Sequence, residues 1–236
     1  MLSLLHVYQF DKKVRYGAMM DGGYVVGDIG GGYDCYISAG VGNEESFSRD
    51  FIREQNMTKD NSFAFDGTIL SYPYEYTEQI TFFRKNIGNH ETNKTTNLSN
   101  YTNTYNNIFL KMDIEGGEYE WLSGITLEQL SKFKQIVIEF HYMNTADKSW
   151  GLYQNHKKDC LQKLATTHYL IHAHGNNCGG PVINGVPNVI ELTYIRKNTV
   201  ANVPQRNTTR FPIPGLDFPN DLNTPDINLS YPPFQQ

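Results

Sequence analysis

Short apolar segments alternate along the chain with amphipathic or polar ones, and several of the apolar segments end in a carboxylate or a histidine. Segments of this length, followed by glycine and then by a helical period, are typical of buried strands that lead into helices. Strands that alternate with helices predict an α/β fold with a mostly parallel sheet. Seven strands are predicted, at about 34–38, 62–66, 80–88, 108–112, 134–141, 168–174 and 187–195.

The last two predicted strands are joined by a short segment that contains Gly and Pro. Since a parallel crossover needs about a dozen residues or a helix, these strands are expected to form a terminal antiparallel hairpin. A helix is predicted to start at Asn43 as N-cap, with Glu44 and Glu45 in its first turn. Further helices are predicted at 117–122, 127–133 and 153–166. Residues 89–107 and the tail from 198 are rich in polar residues and are predicted to lack regular structure.

The composition narrows the class of protein. With 236 residues and 39% hydrophobic residues, the chain can bury one substantial core. The net charge of −5 without a basic block argues against a nucleic-acid partner. No apolar run approaches a membrane span and no signal peptide is evident, so no membrane partner is expected. Three widely spaced cysteines suggest neither disulfides nor a metal knuckle, and favour a reducing, cytoplasmic location.

Three predicted strands end in residues that suit a nucleotide-like ligand. Gly40 and Gly42 form a Gly-x-Gly turn after the first strand, and Asp66 follows 24 residues beyond Gly42. Nucleotide-binding folds place an acidic residue about 20 residues after such a turn to hold ribose hydroxyls. Asp113 and Glu115 follow the fourth strand, where ligands of parallel sheets bind. The alternative for this acidic cluster is a solvated turn that caps the next helix.

The segment at 111–118, Lys-Met-Asp-Ile-Glu-Gly-Gly-Glu, resembles the KMDIEGxE signature of FkbM-type methyltransferases. Matching blocks stand upstream and downstream in the right order, and the resemblance covers roughly residues 17–196. It is closest to the branch found in eukaryotes and large viruses. At 38–41 the chain has Ser-Ala-Gly-Val where the commonest form is Asp-Val-Gly-Ala. The blocks lie at 21–25, 38–42, 65–66, 138–141, 172–178 and 189–193.

The resemblance implies a Rossmann-like methyltransferase domain over 34–197, with S-adenosylmethionine as cofactor. Residues 1–33 would then form a segment that covers the cofactor, and 198–236 a Pro/Asn-rich C-terminal tail. An acidic rim suits a sulfonium, and Glu45 occupies the place of the third glycine of a dinucleotide site, where it disfavours a pyrophosphate. The expected cofactor-binding residues are Asp21, Gly22, Gly23, Tyr24, Ser38, Gly40, Gly42, Glu44, Asp66 and Asp113.

Methyl transfer to a hydroxyl needs a base near the reacting oxygen. Asp113 is the first candidate and His141, whose unperturbed pKa is near 6.5, is the second. Glu115 and Glu139 would orient these groups or tune their pKa values. Alternatively, Asp113, Glu139 and His141 hold a divalent cation, Mg²⁺ or Mn²⁺. The expected substrate-binding residues are Glu139, His141, His174, Asn176 and Asn177.

These features together predict an S-adenosylmethionine-dependent O-methyltransferase. FkbM-type relatives methylate polyketide or sugar hydroxyls, so the resemblance implies a sugar, glycan or other small-molecule acceptor. Two alternatives belong to other classes. One is a nicotinamide-dependent oxidoreductase, and the other is a non-catalytic binding module of a larger glycan-modifying polypeptide.

Overall fold

The computed structural model describes residues 2–73, 78–144 and 154–236. Within these residues the strands are β1 Lys13–Tyr16, β2 Tyr24–Gly27, β3 Cys35–Ala39, β4 Ser62–Phe65, β5 Thr81–Phe83, β6 Asn86–Ile87, β7 Thr95–Thr96, β8 Ile108–Met112, β9 Phe133–Phe140, β10 His168–Gly175 and β11 Ile190–Arg196. The helices are α1 Ser46–Glu54, α2 Ser99–Thr104, α3 Glu118–Gly124, α4 Leu127–Leu130 and α5 Gln154–Thr167.

The central sheet has seven strands in the order β10-β11-β9-β8-β3-β4-β5. The strands from β9 to β5 pair in parallel, whereas β11 runs antiparallel to both β9 and β10. This arrangement confirms the predicted α/β fold and the antiparallel pairing of the last two strands. Two small sheets accompany it, an antiparallel β1–β2 pair and a parallel β6–β7 pair.

Both faces of the central sheet are buried under core clusters. Successive side chains of a strand point to opposite faces and so enter different clusters. Leu110 of β8 packs in the same core cluster as Trp121 of α3 and Leu164 of α5. Its neighbour Phe109 belongs to a second cluster, which contains Phe47 of α1 and residues of β2. The domain therefore has three layers, and the strand ends of the middle layer are left free to carry polar residues.

Two stretches differ from the sequence prediction. The strand predicted at 80–88 is divided into β5 and β6, which belong to different sheets. Residues 89–107 were predicted to be irregular, yet they contain β7 and α2. The helix has a polar sequence, but Tyr101 stacks against Phe63 and Phe65 while Leu98 before it is fully buried. Tertiary packing therefore outweighs its weak helix propensity.

The predicted helices are otherwise present with shifted ends. Helix α1 begins at Ser46 with Glu45 as its N-cap residue, so the prediction of Asn43 as N-cap is wrong by two positions. Helix α4 is short because the chain enters β9 at Phe133. The predicted start of the last helix, Tyr153, lies outside the described residues, and the helix is observed as α5.

The C-terminal tail is ordered by contact. Its regular structure consists of a 3₁₀ turn at Lys197–Thr199 and an isolated bridge from Arg206 to Tyr8, but Phe211, Leu229 and Phe234 are buried in the same cluster as α3 and α5. Across the described residues, no helix has both the length and the apolar character to cross a membrane. Cys35, Cys160 and Cys178 are free thiols.

Candidate active site

The carboxyl ends of β3, β4 and β8 meet at one edge of the central sheet. The Gly40 N–H donates to the carbonyl of Phe65 at 2.9 Å, and the Asp113 N–H donates to the carbonyl of Ala39 at 2.8 Å. These backbone bonds fix the strand ends beside a cavity of about 700 Å³, a size that suits a cofactor. The cavity is lined by four residues predicted from the sequence to share one site: Gly40, Gly42, Asp66 and Asp113.

The turn after β3 requires glycine at its first position. Gly40 has φ +78°, and a Cβ built there would lie 1.6 Å from the backbone oxygen of Asp113. Gly42 also has positive φ, but a Cβ there would meet only open space. The first glycine therefore allows β3 and β8 to approach each other, and the second leaves the cavity wall open to a ligand.

Asp66 is held against this turn by four hydrogen bonds. One carboxylate oxygen accepts the N–H groups of Val41 at 3.0 Å and Gly42 at 3.1 Å. The other accepts the N–H of Thr68 at 2.7 Å and its hydroxyl at 2.6 Å. Burial raises the pKa of Asp66, but these hydrogen bonds outweigh burial and hold the pKa below its usual value. Asp66 is therefore an ionised residue of the cavity wall.

Glu45 and Ser38 do not face the cavity. Glu45 is 1% exposed and accepts hydrogen bonds from the hydroxyls of Ser38 at 3.0 Å and Tyr72 at 2.6 Å. Burial raises the pKa of Glu45, against the opposing charge of Lys111 and these hydrogen bonds. Glu45 therefore does not disfavour a pyrophosphate in the way the sequence predicts, because its side chain is buried in the protein and does not line the cavity. Ser38, predicted to bind the cofactor, is fully buried beneath the cavity instead.

The segment before β3 supplies another part of the wall. Asp21, Gly22 and Tyr24 line the cavity, together with Glu44 from the turn before α1. Gly22 has φ +85°, which favours glycine, and a Cβ there would lie 1.9 Å from the carboxylate of Glu44, so that this flexible side chain would have to move. Gly23 is different, because a Cβ there would lie 2.0 Å from a backbone oxygen of its own segment. Its role is to shape the turn.

Asp113 and Glu139 share the hydroxyl of Tyr24. That hydroxyl lies 3.1 Å from Glu139 and 3.3 Å from Asp113 and can donate to either. Burial, together with the charges of Asp113 and Glu191, raises the pKa of Glu139 well above its usual value. Asn176 donates to Glu139 at 2.7 Å. This shift of the pKa favours the protonated form of Glu139, whereas Asp113 is the member of the pair that lines the cavity.

His141 lies among carboxylates. Its Nδ1 is 3.1 Å from Glu118, and its Nε2 is 3.3 Å from Glu115 and 3.8 Å from Asp113. Burial lowers the pKa of His141, but the hydrogen bond and charge of Glu118, with the charges of Glu139 and Asp113, outweigh burial and raise it to about 9. The pKa near 6.5 expected from the sequence is therefore corrected. The protonated imidazole donates a hydrogen bond from Nδ1 to Glu118, forms ion pairs with Glu115 and Asp113, and does not serve as a base.

Glu115, the third predicted catalytic residue, has the unusual φ of +57° for a residue other than glycine. Its side chain is 83% exposed and stands at the cavity edge. Strained backbone of this kind is characteristic of functional sites. The position fits a group that orients its neighbours more than one that reacts.

The three residues predicted as metal ligands are close enough to share an ion. One ligand atom from each of Asp113, Glu139 and His141 lies within 4.8 Å of the others. Glu118 holds the opposite ring nitrogen of His141, as an outer carboxylate does for metal-bound histidines. Glu139 and His141 could act as ligands only after losing their protons, so binding of a divalent cation such as Mg²⁺ or Mn²⁺ would release protons from this cluster.

Two predicted substrate-binding residues are tied to the C-terminal tail instead. His174 is buried, with Nδ1 3.2 Å from Glu191 and Nε2 3.1 Å from Asp226. The side-chain amide of Asn177 donates to two backbone carbonyls of the tail, each at 2.9 Å. Neither residue lines the cavity, so the expectation that they bind substrate is corrected: they anchor the tail to β10.

Some lining residues were not singled out from the sequence. A sequence feature could have identified Lys111, since an unpaired lysine inside an apolar strand is rare. No sequence feature identifies Glu120, Asn86 or Thr95, because their positions depend on α3 and on the small β6–β7 sheet. The remaining lining residues include Val41, Asn43, Phe65, Thr68, Ile87, Gly88 and Ile114.

The domain described as Methyltransferase FkbM matches residues 32–179, which is more than half of the chain. The chain belongs to the FkbM methyltransferase family. No curated protein matches it. Among solved structures, this FkbM methyltransferase is similar to a TehB-like SAM-dependent methyltransferase from Corynebacterium glutamicum, with 11% sequence identity and a TM-score of 0.38 over 71% of this chain and 83% of that chain. At that similarity, the family assignment rests on the domain match.

Membership of this family implies S-adenosylmethionine as the cofactor and decides against the nicotinamide-dependent oxidoreductase considered above. The cavity fits such a ligand in three respects. Its volume is that of a cofactor site, and its glycine turn leaves no side chain in the way at Gly42. Its carboxylates, among them Glu44 and Asp66, suit a sulfonium and its ribose.

Proposed function

We propose that this methyltransferase transfers the methyl group of S-adenosylmethionine to a hydroxyl of a neutral sugar, glycan or other small-molecule acceptor. The observation that carries the proposal is the position of Asp113. This carboxylate follows β8 directly, lies beside the Gly40 turn and opens into the cavity. An alcohol becomes a good nucleophile only when a base takes its proton, and Asp113 is placed to do so.

When bound, the cofactor supplies an electrophilic methyl group on its sulfonium. Asp113 would accept the proton of the acceptor hydroxyl as that oxygen takes the methyl group from the cofactor. The products are a methyl ether and S-adenosylhomocysteine. The hydroxyl of Tyr24 lies within hydrogen-bond distance of both Asp113 and Glu139 and, when it donates to Asp113, holds the reactive carboxylate in one orientation. His141 adds a positive charge behind it.

The charges around Asp113 favour an uncharged acceptor. Glu115 and Glu120 line the same cavity as Asp113, and Glu118 is buried next to His141. An acceptor that carries phosphate or carboxylate would be repelled by this group of carboxylates. Hydroxyl groups of a sugar can instead donate hydrogen bonds to them.

The test is transfer of labelled methyl from S-adenosylmethionine to a panel of deoxyhexose glycosides, with wild type and Asp113→Asn compared. We expect methyl ether formation by wild type, and a loss of turnover of roughly 10²–10⁴-fold in the variant. Binding of S-adenosylhomocysteine should be retained, which separates loss of the base from loss of the site. Unchanged turnover in the variant would contradict the assignment of Asp113 as the base, whereas absence of transfer by wild type would favour a non-catalytic binding module.

A second form of the same function includes a divalent cation. The ligand atoms of Asp113, Glu139 and His141, within 4.8 Å of one another, favour it. A cation held there would lower the pKa of the acceptor hydroxyl. Loss of transfer on treatment with a chelator, and its recovery with Mg²⁺ or Mn²⁺, supports this form. Full transfer in the chelator contradicts it.

A further inference from the structure

Lys111 is a buried lysine at the bottom of the cavity. It lies on β8, on the same sheet face as Phe109, and is 5% exposed. Its ammonium donates to the carbonyl of Gly40 at 2.7 Å and stands 5.7 Å from the ring centroid of Tyr24. It also lines the cavity beside the glycine turn. A charged group therefore lies in the wall that β8 contributes to the expected cofactor cavity.

Lys111 is the one cation among the described residues that line this cavity. An ammonium has three donors, and across the described part of the chain its hydrogen-bonding acceptor is the Gly40 carbonyl. A buried donor without a partner is costly, so the arrangement favours an anion. The carboxylates that line the same cavity are Asp21, Glu44, Asp66, Asp113, Glu115 and Glu120.

Glu45, a buried carboxylate whose pKa responds to the charge of Lys111, does not pair with it directly. Glu45 feels its charge, but the oxygens of Glu45 are taken by hydroxyl groups, including those of Ser38 and Tyr72. No ion pair within 4.0 Å joins Glu45 and Lys111 among the described residues. The ammonium is therefore available to a ligand from the cavity side.

We infer that Lys111 binds the carboxylate of the methionyl part of S-adenosylmethionine and selects for ligands that carry it. This inference rests on the proposed function. The carboxylate is the one anionic group of that cofactor, whose other charged groups are an ammonium and a sulfonium. In a cavity lined by carboxylates, an anion is stable only next to Lys111, and cations are stable elsewhere.

The test compares two ligands by isothermal titration. S-adenosylhomocysteine carries the carboxylate, and its decarboxylated analogue, S-adenosyl-3-thiopropylamine, keeps the adenosyl group and the amine. Each is titrated into wild type, Lys111→Met and Lys132→Met. Lys132 is a matched charge control, because it lies at the start of β9 and donates to Asn106, away from the cavity. Circular dichroism and thermal melting check that each variant is folded.

We expect Lys111→Met to weaken S-adenosylhomocysteine binding roughly 10- to 100-fold, as the loss of a charged hydrogen bond does. Binding of the decarboxylated analogue should not weaken, and Lys132→Met should change neither affinity. Lys111→Arg keeps the charge, and is expected to retain part of the preference for the carboxylate. This second variant serves if Lys111→Met does not fold.

Three results would overturn the inference. Equal weakening of both ligands means that Lys111 only shapes the Gly40 turn. Unchanged S-adenosylhomocysteine binding in Lys111→Met means that the carboxylate lies elsewhere, and leaves the proposed function intact. Absence of binding of either ligand to wild type removes the proposed function together with this inference.

Discussion

Asp113 and Glu139 are neighbouring carboxylates whose surroundings give them different chemistry. Glu139 is buried beneath Tyr24 and its pKa is raised well above the usual value. Asp113 opens into the cavity and shares the same tyrosine hydroxyl. Two carboxyl groups in such different surroundings take different roles: Glu139 is the neutral partner and Asp113 is the base.

Glu139→Gln is therefore expected to be mild. Glutamine resembles a protonated glutamate in shape and still accepts from Tyr24, so turnover should fall by less than about 10-fold, against roughly 10²–10⁴-fold for Asp113→Asn. Steady-state kinetics of the two variants check this. Equally severe losses in both would contradict a neutral Glu139 and favour the metal-bound form of the site.

Gly40 is the position where one added methyl group should do most damage. Its φ of +78° and the 1.6 Å approach to the backbone of Asp113 leave no room for alanine. We expect Gly40→Ala to lose S-adenosylhomocysteine binding and to lower the free energy of unfolding by several kcal/mol, on the order of a steric core clash. Gly30→Ala is the control, since a Cβ there meets nothing within 4 Å. Similar stability of the two variants in urea would contradict the close approach.

His168 makes stability depend on pH. Burial lowers its pKa from 6.5 to about 4, partly offset by the hydrogen bond to the carbonyl of Phe133. Between these values the unfolded chain binds a proton that the folded protein does not. The contribution of His168 to the free energy of unfolding therefore falls as pH drops below 6.5 and levels off near 4, by up to about 3 kcal/mol.

Urea unfolding of wild type, His168→Gln and the exposed control His90→Gln at pH 7.5 and pH 5 measures this effect. The stability of wild type relative to His168→Gln should be lower at pH 5 than at pH 7.5. The difference between wild type and His90→Gln should stay constant. A pH-independent difference for His168→Gln would contradict a buried neutral imidazole.

At the scale of elements, strands were easier to predict than the segments between them. β3, β4, β8, β9, β10 and β11 are apolar runs whose burial follows from their own sequences. α2 could not be found, because its stability comes from contacts of Tyr101 with β4 across the fold. The two-residue strands β6 and β7 depend on pairing with each other and carry no periodicity of their own.

The C-terminal tail is the segment whose contacts were hardest to predict from the sequence. Asn220 donates to Asp21 at 3.0 Å and to Glu191 at 2.9 Å, so the tail holds the segment before β2 against β11. Proline-rich composition predicted the absence of regular structure, but it carries no information on such long-range contacts. The tail therefore positions one wall of the cavity without lining it.

Asn220→Ala should loosen that wall. We expect S-adenosylhomocysteine binding to weaken several-fold, on the order of one or two hydrogen bonds of about 1 kcal/mol each. Asn223→Ala is a matched control, because the hydrogen bonds of Asn223 to the described residues stay within its own turn at Asp221. Calorimetric titration of both variants decides the matter, and equal affinities would mean that the tail does not position Asp21.

At the scale of the whole molecule, the residues that meet at the edge of the sheet could be predicted. The orientation and protonation of the polar side chains around them could not. Gly40, Gly42, Asp66 and Asp113 follow apolar strands, so their convergence follows from parallel topology. The inward turn of Glu45 depends on hydroxyl groups far away in sequence, such as that of Tyr72. The raised pKa of His141 likewise depends on Glu118, which is brought to it by α3. Side-chain partners of this kind are set by packing and not by local pattern.

The central claim is that one adenosyl ligand fills the cavity at the ends of β3, β4 and β8. A crystal structure of the protein with S-adenosylhomocysteine tests it most directly. The account predicts ligand density between the Gly40 turn, Asp66 and Asp113, with the sulfur nearest Asp113 and the carboxylate at Lys111. Density at another place, or an empty cavity at saturating ligand, would contradict it.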